Sequence, residues 1–242
     1  MFVPLNNSCL LFVFQEMITS RIMHPFVLPL LAVVDRLQEN LEFWFVSPLC
    51  KNGDLNAAIK KGNVITKEIT FVKILLHIAL AIQYIHTAVP KVRDVILHKD
   101  ISSKNVVLDD AFNARLIDFG LAREKDDVTT NANGNVYYSH PKFGEEDATE
   151  SWDYYSLGVI IREMLTGLRP QGIGSTFLKK IKADQFKKIL EDLKDKKECV
   201  WSTSGRDIQL NSIAEKCLQQ SDWKVKEFDE NVVQEIKRVK HR

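Results

Sequence analysis

Apolar residues recur along this chain with two different periods. Between Thr66 and His86 they fall at helical spacing, with Phe71, Ile74, Leu75, Ile78, Ile82 and Ile85 on one side, which predicts a long amphipathic helix. Val27–Asp35 and Leu41–Val46 are instead dense in β-branched and aromatic residues and are separated by the polar run Arg36–Asn40, so they predict two strands. The Asn52-Gly53 turn leads into a short helix over Asp54–Lys60, and a helical segment is expected around Ser8–Arg21. Short strands are expected up to about Ile117, and from Ser151 onward the chain reads as helical. Leu157–Leu165 is apolar nearly all round, as suits a helix in the middle of a domain. At the C-terminal end Phe228, Val232, Val233, Ile236 and Val239 form one stripe, whereas Lys179–Lys197 reads as a solvated helical face.

Composition sets limits on this picture. The 242 residues, 45% of them hydrophobic, suffice for one large domain or two small lobes. Basic and acidic residues nearly cancel (33 against 32), so neither nucleic acid nor a membrane surface is an expected partner. Cys9, Cys50, Cys199 and Cys217 are far apart without metal-ligand spacing, which favours a reducing compartment and a cytoplasmic location. The apolar run Cys9–Phe14 is far shorter than the ~20 residues of a bilayer span. No basic segment precedes it, so a signal peptide is not expected either.

Candidate chemistry gathers in one stretch, from Ile96-Leu-His98-Lys99-Asp100 through Asn105 to Ile117-Asp118-Phe119-Gly120. Val106–Leu108 and Ala114–Ile117 flank the turn-forming Asp109-Asp110-Ala111-Phe112-Asn113. A hairpin centred between Ala111 and Phe112 would set Asn105 opposite Asp118, with Asp100 on the loop just before. An amide oxygen and a carboxylate converging in this way suit Mg²⁺, which takes one or two carboxylates plus substrate phosphates. A further carboxylate alongside could orient a hydroxyl nucleophile, and the combination describes phosphoryl transfer.

These residues resemble the signatures of the protein kinases. His98-Lys99-Asp100 with Asn105 resembles the catalytic loop H-R-D-x-x-x-x-N, and Asp118-Phe119-Gly120 matches D-F-G. Asp153-Tyr-Tyr-Ser156-Leu-Gly158 resembles the start of the kinase central helix, and Tyr138–Pro141 occupies the A-P-E region. His24-Pro25 and Asn52–Leu55 resemble the strand-four entry and the segment after the hinge. The wording of Asp100–Asn105 and Thr166–Pro170 is most similar to the tyrosine-kinase-like Ser/Thr kinases, near the Pelle, interleukin-1-receptor-associated and plant receptor-like groups.

The resemblance implies an α+β, bilobal kinase fold with a truncated β-rich N-lobe and a mainly helical C-lobe. Residues 1–50 would be a partial N-lobe (helix C, strands four and five, hinge) and residues 51–242 the C-lobe. It implies transfer of the ATP γ-phosphate to Ser/Thr hydroxyls of a protein substrate, with ATP and Mg²⁺ as cofactors. Asp100 would be the base, with Asn105 completing the catalytic pair. Asn105 and Asp118 would hold the metal, while Pro48, Cys50, Val107 and Asp118 would line the ATP site. Ser47 would be the gatekeeper, Asp153 would accept catalytic-loop N–H groups, and Phe119 would stack with His98. Thr129 and Thr130 are candidate phosphosites of the activation loop. Small-molecule phosphotransferases share H-x-D-x-x-x-x-N, but Asp118–Gly120 and Asp153–Gly158 argue against them.

Several positions depart from the kinase pattern. The sequence has no G-x-G-x-x-G and no V-A-I-K, and the position of the helix-C Glu falls on Gln15, beside Glu16. An open cleft with an exposed apolar edge is therefore expected, as is weak or absent turnover. A catalytically weak pseudokinase acting as a protein-interaction scaffold is the alternative. Ser102 stands where many kinases keep a phosphate-contacting Lys, and Lys104 could substitute. Asn135 replaces a Thr that normally contacts the catalytic Asp, and Lys142 replaces the A-P-E Glu. Lys142 and Glu227 could then form a charge-reversed version of the buried ion pair of that family.

Overall fold

A computed structural model describes residues 18–36, 42–61, 68–125, 134–168, 205–219 and 223–240. The two N-terminal strands form, but are shorter than their apolar runs. β1 (Ala32–Arg36) pairs antiparallel with β2 (Glu42–Val46), Val34 lying opposite Trp44. The expected start at Val27 fails because Pro29 has no N–H to give a ladder, and because the backbone around Val27 is engaged elsewhere. Val27 bridges Leu116, with Leu28 N–H donating to the Leu116 carbonyl at 3.0 Å. Leu31, Val33, Val34, Trp44 and Val46 are exposed, so among the described residues this hairpin presents apolar side chains to solvent as expected. Of the helix expected around Ser8–Arg21 only the final turn, residues 18–20, lies within the described residues. Ile18 in that turn and Ile22 just after it are buried.

α1 (Leu55–Lys61) begins one residue later than expected because Asp54 is its cap: Asp54 Oδ1 accepts the Ala57 N–H at 2.7 Å. α2 (Glu68–Ile85) is the long helix, and Phe71, Ile74, Leu75, Ile78, Ile82 and Ile85 are all buried. Two short strand pairs follow from the chain returning on itself. β3 (Ile96–Leu97) pairs with β6 (Arg123–Glu124), and β4 (Val106–Leu108) with β5 (Ala114–Leu116).

α3 (Glu150–Thr166) is buried along its whole length, confirming its central position. It packs against α4 (Gly205–Gln219) at Gly158, where a Cβ would lie 2.9 Å from the Ala214 carbonyl, Cys217 Cβ and Leu218 Cγ. Only glycine permits that approach. The C-terminal stripe is buried too, but not on one regular helix. α5 (Val225–Phe228) runs into a π-helical stretch, Asp229–Val233, before α6 (Gln234–Lys240). Val232 and Val233, both within the π-helical stretch, are buried in the core.

The Lys142–Glu227 pair does not form. Lys142 bridges Glu146 at 2.8 Å in its own loop, where both are exposed, and Glu227 is exposed on α5. Its neighbour Phe228 turns inward to stack on Tyr154 at 4.1 Å, which leaves Glu227 outside. The buried guanidinium of this region is instead Arg162 on α3, with Glu215 on α4 at 3.4 Å. The Lys179–Lys197 segment lies outside the described residues.

Candidate active site

The β4–β5 hairpin places the first functional group, in a register one step from the expected one. Val106 pairs with Leu116, Val107 with Arg115 and Leu108 with Ala114. Asn105 therefore faces Ile117, whose N–H donates to the Asn105 carbonyl at 2.9 Å, and Asp118 lies one residue beyond. The turn decides this. Asp109 Oδ1 accepts the N–H groups of Ala111 and Asn113, and Phe112 takes a left-handed conformation at φ 57°, making a three-residue loop instead of an even one. Asp118 is then aimed by its own backbone, at φ 63° and ψ 72°, with Oδ1 accepting the Gly120 N–H at 3.2 Å and the side chain exposed.

Asp100 is held through both carboxylate oxygens. Oδ2 accepts the Asn105 amide at 2.9 Å, and Oδ1 accepts the backbone N–H of Asn135 at 2.9 Å. The contact expected to weaken with the loss of a Thr hydroxyl is thus made by the main chain. Asn105 also donates to the Asp100 carbonyl at 2.8 Å, so its amide oxygen is the atom left to ligate. Burial raises the pKa of Asp100, against the pull of the Asn135 N–H and the Asn105 amide, and the nearby Asp118 charge pushes the same way as burial. A more basic carboxylate accepts a proton more readily.

Asp153 fixes the loop from below. Its Oδ2 accepts the His98 N–H and His86 Nε2–H, both at 2.8 Å, and Oδ1 accepts the Lys99 N–H at 3.0 Å. His98 contacts the Phe119 ring with centroids 4.6 Å apart, tilted and not parallel-stacked. Because His98 Nδ1 accepts the Asp100 N–H, Nε2 carries the proton donated to the Ile117 carbonyl at 3.0 Å. Lys99, at φ 68°, has its pKa lowered by burial and by Arg123.

The remaining expected residues fall into two groups. Val107 is half-buried on β4 between buried Val106 and Leu108, and Leu108 exchanges hydrogen bonds with Asn52 and Gly53. Those bonds tie the end of the hinge to β4. Pro48 is exposed and Cys50 half-buried, its carbonyl accepting the Gly53 N–H at 3.1 Å. Burial raises the Cys50 thiol pKa. Lys104 is exposed and enters no ion pair among the described residues. Gln15, Glu16, Thr129 and Thr130 lie outside the described residues.

One polar knot was not anticipated. Fully buried Glu163 accepts Ser103 Oγ at 3.0 Å, Tyr138 OH at 2.7 Å and the Asn56 amide at 3.2 Å. It joins α3, the catalytic loop, the activation segment and α1. The available signal was a charge inside the apolar run Leu157–Leu165, which must find donors if buried. Burial outweighs those hydrogen bonds and pushes the Glu163 pKa up to about 7, from 4.5. A carboxyl whose folded pKa is raised favours folding when protonated, so stability should fall as pH rises from about 4.5 to about 7. The loss should total roughly 3 kcal/mol. Glu163→Gln should flatten that part of the curve in denaturant titrations at a series of pH values; an unchanged slope would assign the titration elsewhere.

The Asp100 carboxylate, the Asn105 amide, the Asp118 carboxylate and a central-helix Asp153 clamping the loop stand at the positions of the protein-kinase motifs in the sequence. Residues 13–239 match the family model described as protein kinase domain, and the chain belongs to that family. It is 30% identical over 190 residues to the L-type lectin-domain containing receptor kinase IX.2 of Arabidopsis thaliana, covering 76% of this chain and 26% of that protein. It is 33% identical over 164 residues to the L-type lectin-domain containing receptor kinase I.3 of the same plant, covering 66% and 24%. With the probable LRR receptor-like serine/threonine-protein kinase MEE39, also from Arabidopsis thaliana, it shares 29% over 149 residues, covering 58% and 17%. The chain thus spans about a quarter or less of the length of these relatives. Among the described residues no helix is long and apolar enough to cross a membrane.

The family uses ATP and a divalent metal, and the residues present fit the metal. Asp118 is exposed toward solvent and Asn105 keeps an amide oxygen free of its donor bonds. Among the described residues no group of three His, Cys, Asp or Glu could hold an ion alone. Phosphate oxygens would have to complete the shell, as is usual for Mg²⁺.

Proposed function

We propose that this domain transfers the γ-phosphate of ATP to Ser or Thr hydroxyls of a protein substrate in the cytoplasm. The observation that carries the reading is the fixed, burial-raised carboxylate of Asp100 beside Asn105 and Asp118. Asp100 would orient the hydroxyl and accept its proton. Asn105 and Asp118 would hold Mg²⁺, which when bound neutralises charge on the phosphates. Pro48 would offer its carbonyl and Cys50 its N–H to adenine, with Val107 beneath the ring. The division falls at the hinge, residues 1–50 forming the partial N-lobe and 51–242 the C-lobe. Thr129 and Thr130 would take the regulatory phosphate.

A second reading, a scaffold that binds partners through the kinase shape, is favoured by a different observation. Asn135 and Lys142 stand where the family keeps a Thr and the A-P-E Glu, so two contacts that order the activation segment are made differently in this chain. Thermal unfolding with ATP separates the two. The kinase reading expects a rise that needs Mg²⁺, disappears with EDTA and is lost in Asp118→Asn; at about 100 times Kd the gain would be ~2.7 kcal/mol. No shift at millimolar Mg-ATP would leave the scaffold.

A further inference from the structure

Beside the catalytic loop lies a group of cations that the reading above does not use. α1 packs across the 3-10 turn Ser103–Asn105, and the Asn56 amide donates to Ser103 Oγ at 3.2 Å. Lys60 is one helical turn beyond Asn56, on the same side of α1. Its charge reaches Glu163, which accepts from both Asn56 and Ser103. Lys61 follows it at the end of α1, and Lys104 is the middle residue of the 3-10 turn, four residues after Asp100 and next to Asn105. All three are exposed, and none enters an ion pair among the described residues. Some other cations of the domain are matched, Lys51 with Asp110, Lys125 with Glu150, Lys142 with Glu146 and Lys216 with Glu235, whereas Lys91, Lys224 and Arg238 lie elsewhere on the surface, away from the catalytic loop. Glu163, the carboxylate that feels the Lys60 charge, is sealed inside and committed to three donors. Asp54, the residue before α1, caps the opposite end of the helix.

We propose that Lys60, Lys61 and Lys104 form a substrate-selecting surface for protein segments rich in Asp and Glu near the phosphoacceptor. The proposal rests on Asp100 being the base that meets the hydroxyl. A segment whose hydroxyl reaches Asp100 and which leaves in extended form along the 3-10 turn passes Lys104 first and the end of α1 next. Successive residues advance about 3.3 Å, and alternate side chains face the same way. Lysine ammoniums on flexible stems act as mobile point charges, so they would select charge without demanding one fixed register. With a formal net charge of +1, the domain as a whole gives acidic peptides no general attraction that could mimic this.

Peptide binding to the full chain, read by fluorescence anisotropy without nucleotide, tests the surface apart from catalysis. Three peptides of equal length would carry one central Thr flanked by Glu, Gln or Lys. The Glu peptide should bind about tenfold or more tighter than the Lys peptide, a size expected for three exposed contacts together. In the triple variant Lys60→Glu, Lys61→Glu, Lys104→Glu the order should invert, a gain for the Lys peptide that a misfolded variant could not produce. A control with the same charge change elsewhere, Lys224→Glu, Lys226→Glu, Arg238→Glu, should keep the original order. Equal binding of the three peptides, or the same loss in the control, overturns the proposal. Charge-selective binding without any phosphate transfer would uphold the surface and remove the kinase reading; transfer without charge selection would do the reverse.

Discussion

Asp100→Asn is expected to abolish phosphoryl transfer while the domain stays folded. Removing a positioned base lowers the rate by ~10²–10⁴. The fold should tolerate the change because Asn keeps the carbonyl that accepts the Asn135 N–H, and because the ionised carboxylate it removes is disfavoured by burial. The local cost is that the new amide would meet the Asn105 amide, donor against donor, where Asp100 Oδ2 now accepts. Asn105 still has the Asp100 carbonyl to donate to, so the melting point should move by only about 2 °C. Radiolabel transfer and thermal unfolding of the same preparation check both halves. Retained turnover would show that another group takes the proton.

The opposite result is expected at Asp153, where replacement by Ala should unfold much of what Asp100 needs. This carboxylate has a side-chain exposure of 1% and accepts from His86, His98 and Lys99 together. Truncation strands three donors in the interior, including the partner of a buried pair, for which about 3–5 kcal/mol is typical. In a domain of this size that corresponds to a melting point roughly 6–20 °C lower. Burial alone would raise the Asp153 pKa; His86 and the loop N–H groups outweigh it and hold the carboxyl below the ordinary value of 3.8. A depressed folded pKa gives stability that is present above the unfolded pKa and lost as pH falls through the folded one. Wild type should therefore lose stability below about pH 4 through this group, and Asp153→Ala should lack that component. A melting point unchanged by the substitution would mean the clamp contributes nothing.

How much of this was legible in the sequence follows from what each feature depends on. Contiguous motifs were readable: His98–Asp100, Asn105 and Asp118–Gly120 bring their chemistry with their spacing, and the apolar period of α2 needs no partner to be seen. The α+β kinase fold followed from their order. Register was not readable to one residue, because the side chain of Asp109 chose the loop length by bonding two N–H groups across the turn. Pro29 cut short a strand that its neighbours favoured. The Lys142–Glu227 pairing was argued from two positions in a pattern, and it failed because Lys142 found Glu146 four residues away. The Glu163 knot was out of reach for a further reason: its donors stand at positions 56, 103 and 138, and only tertiary packing brings them to one carboxylate.

The bond from the main-chain N–H of Asn135 to Asp100 carries a consequence for how this domain can vary. Every amino acid except proline supplies that N–H. A hydroxyl at the same place could be erased by one substitution, whereas a backbone donor is indifferent to the side chain written at its codon. Position 135 can therefore drift in sequence while the carboxylate across from it stays anchored. Comparing residues there would understate how strongly the two segments depend on each other.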